Sequence, residues 1–103
     1  VKGKYTIIHT NDVISEAELT EPPTLEMLQS AVGGSIETVP MFVLYKDEHC
    51  VCFCNEEGKI HGLPLNISAT ELWNKQRHPH PIDDVLVGDV VIIRGDNEMM
   101  RAL

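Results

Sequence analysis

The sequence predicts an α+β domain, a mainly antiparallel curved sheet of four to six strands with two short helices packed on one face. Three observations carry that expectation. Short β-prone runs are separated by turn-forming pairs, two segments combine a helix-start signal with apolar residues at helical spacing, and several strands follow one another without an intervening helix. A chain of 103 residues is the length of one domain, assigned here to residues 1–103. Such a chain buries about 60 to 70% of the surface that its unfolded form exposes, which suffices for one core.

In chain order, Tyr5 to His9 and Val13 to Leu19 are β-prone runs separated by Asn11-Asp12, a pair that tolerates the positive φ of tight turns, and together they predict a hairpin. Pro22-Pro23 ends the second strand. Thr24 is placed to cap a helix on which Leu25, Leu28 and Val32 share a face, and Gly33-Gly34 ends it. Ile36 to Tyr45 is rich in β-formers but holds Pro40, whose missing N–H predicts a bend, bulge or edge. His49 to Asn55 predicts the next strand, and Glu56-Glu57-Gly58 a turn into another at Lys59 to Leu63. Ser68 and Glu71 have capping-box spacing, so a second helix is expected from Ser68, with Ala69, Leu72 and Trp73 inward and Asn74, Lys75 and Gln76 towards water. His78-Pro79-His80-Pro81 cannot continue a helix and reads as a loop. Val85 to Ile93 is the most β-rich stretch, with Gly88-Asp89 as a turn or bulge, and is expected at the centre of the sheet.

The balance of 43% hydrophobic and 23% charged residues is that of a globular protein. Sixteen acidic against eight basic residues give a net charge of −8, which repels phosphate backbones and argues against direct nucleic-acid binding. The same charge suits a basic protein partner. No apolar stretch approaches membrane-spanning length and VKGKYTIIHT lacks the features of a signal peptide, so no membrane association is expected. The three cysteines, Cys50, Cys52 and Cys54, are odd in number and close in sequence, which predicts reduced thiols and a cytoplasmic location.

VGGSIETVP at 32–40, NEEGKIHGLPLNISAT at 55–70 and LVGDVVIIRG at 86–95 occur in order along most of the chain from Leu25 onward. In these stretches the chain resembles a family of small proteins of unknown function found mainly in bacteriophages and mobile elements. The resemblance implies a phage-encoded accessory protein working in the cytoplasm of an infected bacterium. It brings no established catalytic residues, and the His78 to Pro81 loop lies outside its pattern.

The residues that could carry chemistry read as follows. On a strand, Cys50, Cys52 and Cys54 face one side and Val51 and Phe53 the other. One flat strand cannot wrap a tetrahedral ion, and the alternate spacing is not that of a zinc knuckle, so the thiols are expected to pack as small hydrophobes and no metal is expected. A cysteine nucleophile would need a base such as His49 or His61 and an orienting group, and no motif supplies one. Glu56-Glu57 and Asp83-Asp84 sit at turns, where charge is ordinary. Gly33-Gly34 follows a helix, which excludes a phosphate-cradling loop. The strongest binding candidate is the apolar loop Gly62, Leu63, Pro64 and Asn66, leading into a helix N-terminus near Trp73. Met41, Phe42, Tyr45 and Trp73 are either a partner surface or core.

The function expected from these readings is non-enzymatic: an acidic binding protein that modulates a host or phage macromolecule. The alternative is a small-ligand or nucleotide-sequestering protein using the Gly62 to Asn66 loop. No cofactor is expected, and a homo-oligomer would be one way to cover the sheet edges.

Overall fold

The computed structural model describes residues 1–77 and 84–103, so the His78 to Pro81 loop lies outside the described residues. The expected hairpin is β1 (Gly3–Ile8) and β2 (Ile14–Leu19), paired antiparallel with Ile8 opposite Ile14. Asp12 takes φ 69° in its turn, and the Asn11 side chain accepts the Val13 N–H at 3.1 Å. Helix α1 (Leu25–Val32) begins where Thr24 accepts the N–H of Met27. It ends at Gly33, whose φ of 77° is open to glycine and lets its N–H return to the carbonyl of Gln29.

Pro40 divides the next β-prone run into β3 (Ile36–Thr38) and β4 (Leu44–Tyr45), as its missing donor requires. Lys46 and Asp47, both with positive φ, turn β4 tightly into β5 (Glu48–Asn55). Helix α2 (Ile67–Gln76), strand β6 (Val90–Gly95) and the short helix α3 (Asn97–Arg101) complete the fold. The sheet is antiparallel throughout, in the order β2-β1-β6-β5-β3, with β4 paired to β5. The fold is therefore α+β, with β6 at the centre as its composition requires.

Two core layers sandwich β6. Val90 and Ile92 pack with Ile8, Cys50, Cys52, Ala69 and Trp73 on the α2 side, while Val91 and Ile93 pack with Leu28, Val32, Phe53 and Met99 on the α1 side. This corrects the expectation that the two helices share one face. A strand apolar at four consecutive positions needs cover on both sides, and α2 supplies one while α1 and α3 supply the other. Phe42, Tyr45 and Trp73 are core, whereas Met41 is exposed.

Three further expectations are corrected. Lys59 to Leu63 is a run of turns rather than a strand: the N–H of His61 returns to Glu57 O, and that of Leu63 to Gly58 O, because Gly58 and Gly62 let the chain coil on itself. The cap of α2 is Asn66, whose side chain accepts the Ala69 N–H, while the Ser68 hydroxyl instead donates to Asp12. Gln76 does not point to water. Its carbonyl accepts the N–H groups of Val43 and Leu44, and its amide donates to Leu44 O, tying the end of α2 to β4.

Candidate functional site

Edge strand β3 places Glu37 directly opposite Cys54 of β5. Beyond it, the Val39 N–H bonds to Cys52 O, and Pro40 O accepts the indole N–H of Trp73 at 2.7 Å, so β3, β5 and α2 converge. Beside them lies a cavity of about 230 Å³, lined also by residues 84–87. Its apolar lining includes Val39, Pro40, Ile60, Trp73 and Val85 to Val87, and its carboxylates are Glu37, Glu56 and Asp84.

Among the described residues Lys59 is the one cation of the lining, and it is already paired with Asp84. The hydrogen bond from Lys59, with a smaller contribution from the Val85 N–H, holds the Asp84 carboxyl below its ordinary value. The cavity thus offers an apolar floor and an unbalanced negative rim. Trp73 is only 4% exposed and lies under the guanidinium of Arg77, 3.7 Å from the ring centroid. It is therefore a fixed wall of the cavity.

Of the residues singled out from the sequence, Trp73 lines this cavity, and Gly62, Leu63, Pro64 and Asn66 do not. Those four make the turn that docks α2. The Pro64 carbonyl accepts the Gly88 N–H, and Leu63 lies against Gly58 and Gly88. Fully buried Asn66 donates to the carbonyls of Ile8 and Gly88 at 2.9 and 3.0 Å while capping α2. Its hydrogen bonds are spent within the fold, and the turn and Trp73 do not form one pocket. Sequence reasoning passes over Glu37 and takes Glu56 and Asp84 for ordinary turn charges. Each reads alone as an ordinary surface acid, and only the pairing of β3 with β5 and the path into β6 bring them together.

The three cysteines lie on the α2 face of β5, as their alternation predicts, and all are free thiols. Desolvation raises Cys50 and Cys54 from about 9 to about 11 and pushes Cys52 well above its ordinary value. The fold therefore favours the neutral thiol. Its contribution to stability is complete below pH 9 and is lost as pH rises through 11. Urea midpoints should hold steady up to about pH 8.5 and then fall, less steeply in Cys50→Ala than in the parent. Equal slopes in the two proteins would assign the fall to other groups. Among the described residues, no three of His, Cys, Asp and Glu gather to hold a metal ion, and no helix is long and apolar enough to cross a membrane.

Fold and cavity together define a small α+β protein with an acid-rimmed apolar cavity against edge strand β3. By sequence it belongs to the family described as a domain of unknown function, DUF3846, whose model matches residues 4–102. No curated protein and no solved structure matches the chain.

Proposed function

We propose that this chain is a phage-encoded accessory protein that works in the host bacterial cytoplasm by binding a basic macromolecule. In this reading the cavity receives a cationic side chain of the partner, and the surrounding acidic surface steers the approach. The observation that carries it is the composition of the cavity: an apolar floor of Val39, Pro40 and Trp73 beneath Glu37, Glu56 and Asp84, on a chain of net charge −8. A guanidinium fits such a place, because its flat face stacks on apolar and aromatic surface while its N–H groups meet carboxylates. A nucleotide is the poorer occupant, since its phosphates would face the same carboxylates and the one lysine is engaged with Asp84.

Trp73 is the chain's single tryptophan, so its emission reports directly on the cavity. Titration with an oligoarginine peptide should change that emission saturably. Binding should weaken steeply between about 0.1 and about 1 M salt, as the Debye length falls from about 10 to about 3 Å. The double substitution Glu37→Gln, Glu56→Gln should weaken it about three- to tenfold, the scale of two exposed charges. An emission unchanged by the peptide at low salt, or an affinity indifferent to salt, would sink the reading.

A further inference from the structure

At one end of the sheet, three neighbouring strands bring a serine, a histidine and an aspartate into a row. Ser15 lies opposite Ile7, His9 is two residues beyond Ile7, and Asp89 immediately precedes Val90, the partner of Ile8. Side-chain alternation puts Ser15 with Ile7, and Asp89 with Val91, on the α1 side of the sheet. Nε2 of His9 lies 3.0 Å from the Ser15 hydroxyl oxygen, and Nδ1 lies 2.8 Å from Oδ2 of Asp89. The second oxygen of Asp89 accepts the Thr10 N–H at 3.0 Å, which fixes the carboxylate.

The direction of these bonds follows from the chemistry. An ionised carboxylate only accepts, so the proton of neutral His9 sits on Nδ1. That leaves Nε2 with a lone pair aimed at Ser15, whose hydroxyl must be the donor. A nucleophile, a base within reach of it and a third group holding the base in its tautomer define an activated serine by geometry, whatever the order of the residues in the chain.

A donor for the developing oxyanion is also at hand. The His9 N–H bonds to Val13 O, so by antiparallel alternation Ser15 is also turned to β1, while the N–H of Glu16 points off the free edge of β2. Ser15 and Ala17 are exposed, and Val13 is 52% exposed, so the site is open and shallow.

We propose that Ser15 is a nucleophile with His9 as its base and Asp89 as its positioning residue, and that the chain hydrolyses small, activated acyl esters there. The Ser15 oxygen forms a bond to the acyl carbon and its proton passes to His9 Nε2. The bond from the acyl carbon to the leaving oxygen breaks, and that oxygen takes the proton from His9. Water then attacks the acyl-serine, again giving its proton to His9, which returns it to Ser15 as the acid departs. With one oxyanion donor in place of the usual pair, turnover is slow. The inference is independent of the binding role.

The test uses the intact chain, a fluorophosphonate probe read by peptide mapping, and p-nitrophenyl acetate turnover. We expect the probe on Ser15 and not on Ser30, Ser35 or Ser68, with fluoride as the leaving group. Labelling and turnover should vanish in Ser15→Ala and slow about 100-fold in His9→Gln. Imidazole should restore turnover in His9→Gly, and Asp89→Asn should lower kcat with KM unchanged. An unlabelled Ser15, or a His9→Gln protein labelled as fast as the parent, overturns the proposal. Should the His9 variants fail to fold, the parent decides: labelling spread evenly over its serines overturns the proposal just as firmly.

Discussion

Asn66→Ala should destabilise the fold by about 3–5 kcal/mol, a large share of the 5–15 kcal/mol that holds a domain of this size together. The side chain does three jobs at once. It caps α2, a role worth about 1 kcal/mol, and it satisfies the buried carbonyls of Ile8 and Gly88, each costing about 1–3 kcal/mol when left without a donor. Urea denaturation followed by circular dichroism gives the measurement. Asn66→Asp separates the roles, because aspartate keeps the capping oxygen but offers the two carbonyls no donor. It should lose at least as much as alanine, because it also buries a carboxylate against those two carbonyl oxygens, a cost greater than the cap it retains. An aspartate variant near parental stability would leave the cap as the whole story, and an alanine variant within about 1 kcal/mol of the parent would refute the argument.

Trp73→Ala should cost a comparable amount, about 3–5 kcal/mol, as large-to-small changes at buried aromatics do. Trp73 packs with Cys52, Leu86 and Val90, donates its indole N–H to Pro40, and carries the guanidinium of Arg77 on its face. Truncation opens the floor of the cavity and leaves Arg77, itself 1% exposed, without the ring that it stacks on. Trp73→Phe keeps a ring and most of the apolar area but loses the bond to Pro40, so its cost should be about 1–2 kcal/mol. The ordering alanine, phenylalanine, parent in denaturation midpoint is the expected outcome. An alanine variant as stable as the phenylalanine one would mean that the ring contributes little to the core.

Much of the architecture was legible because its signals are local. The hairpin turn at Asn11-Asp12, the Thr24 cap, the Gly33 terminus and the break at Pro40 each act within a few residues, and the uniformly apolar Val90 to Ile93 could only lie inside a sheet. What escaped depends on partners distant in sequence. Nothing near Lys59 to Leu63 shows that no strand edge waits for it. Ser68 has the spacing of a capping box, but Asn66 wins because the carbonyls of Ile8 and Gly88 are within its reach. The face on which each helix lies was also hidden, since the apolar stripes of α1 and α2 look alike until the sheet between them is in place. For the same reason Trp73 was the one cavity residue proposed for binding from the sequence, while the gathering of Glu37 and Asp84 and the row of Ser15, His9 and Asp89 belong to register rather than to motif.

The position of β6 has a consequence for how the chain is made. Gly3 pairs with Gly95, so the sheet closes across almost the full length of the described chain, and β1 and β5 are joined only through a strand synthesised after both. Until β6 emerges, each of them presents an open inner edge. The nascent protein is then two incomplete half-sheets with a slot between them, exposed to capture by any other extended segment. The same slot makes the molecule a natural split protein, in which a fragment ending before β6 would be completed by a separate peptide of the Val90 to Gly95 strand.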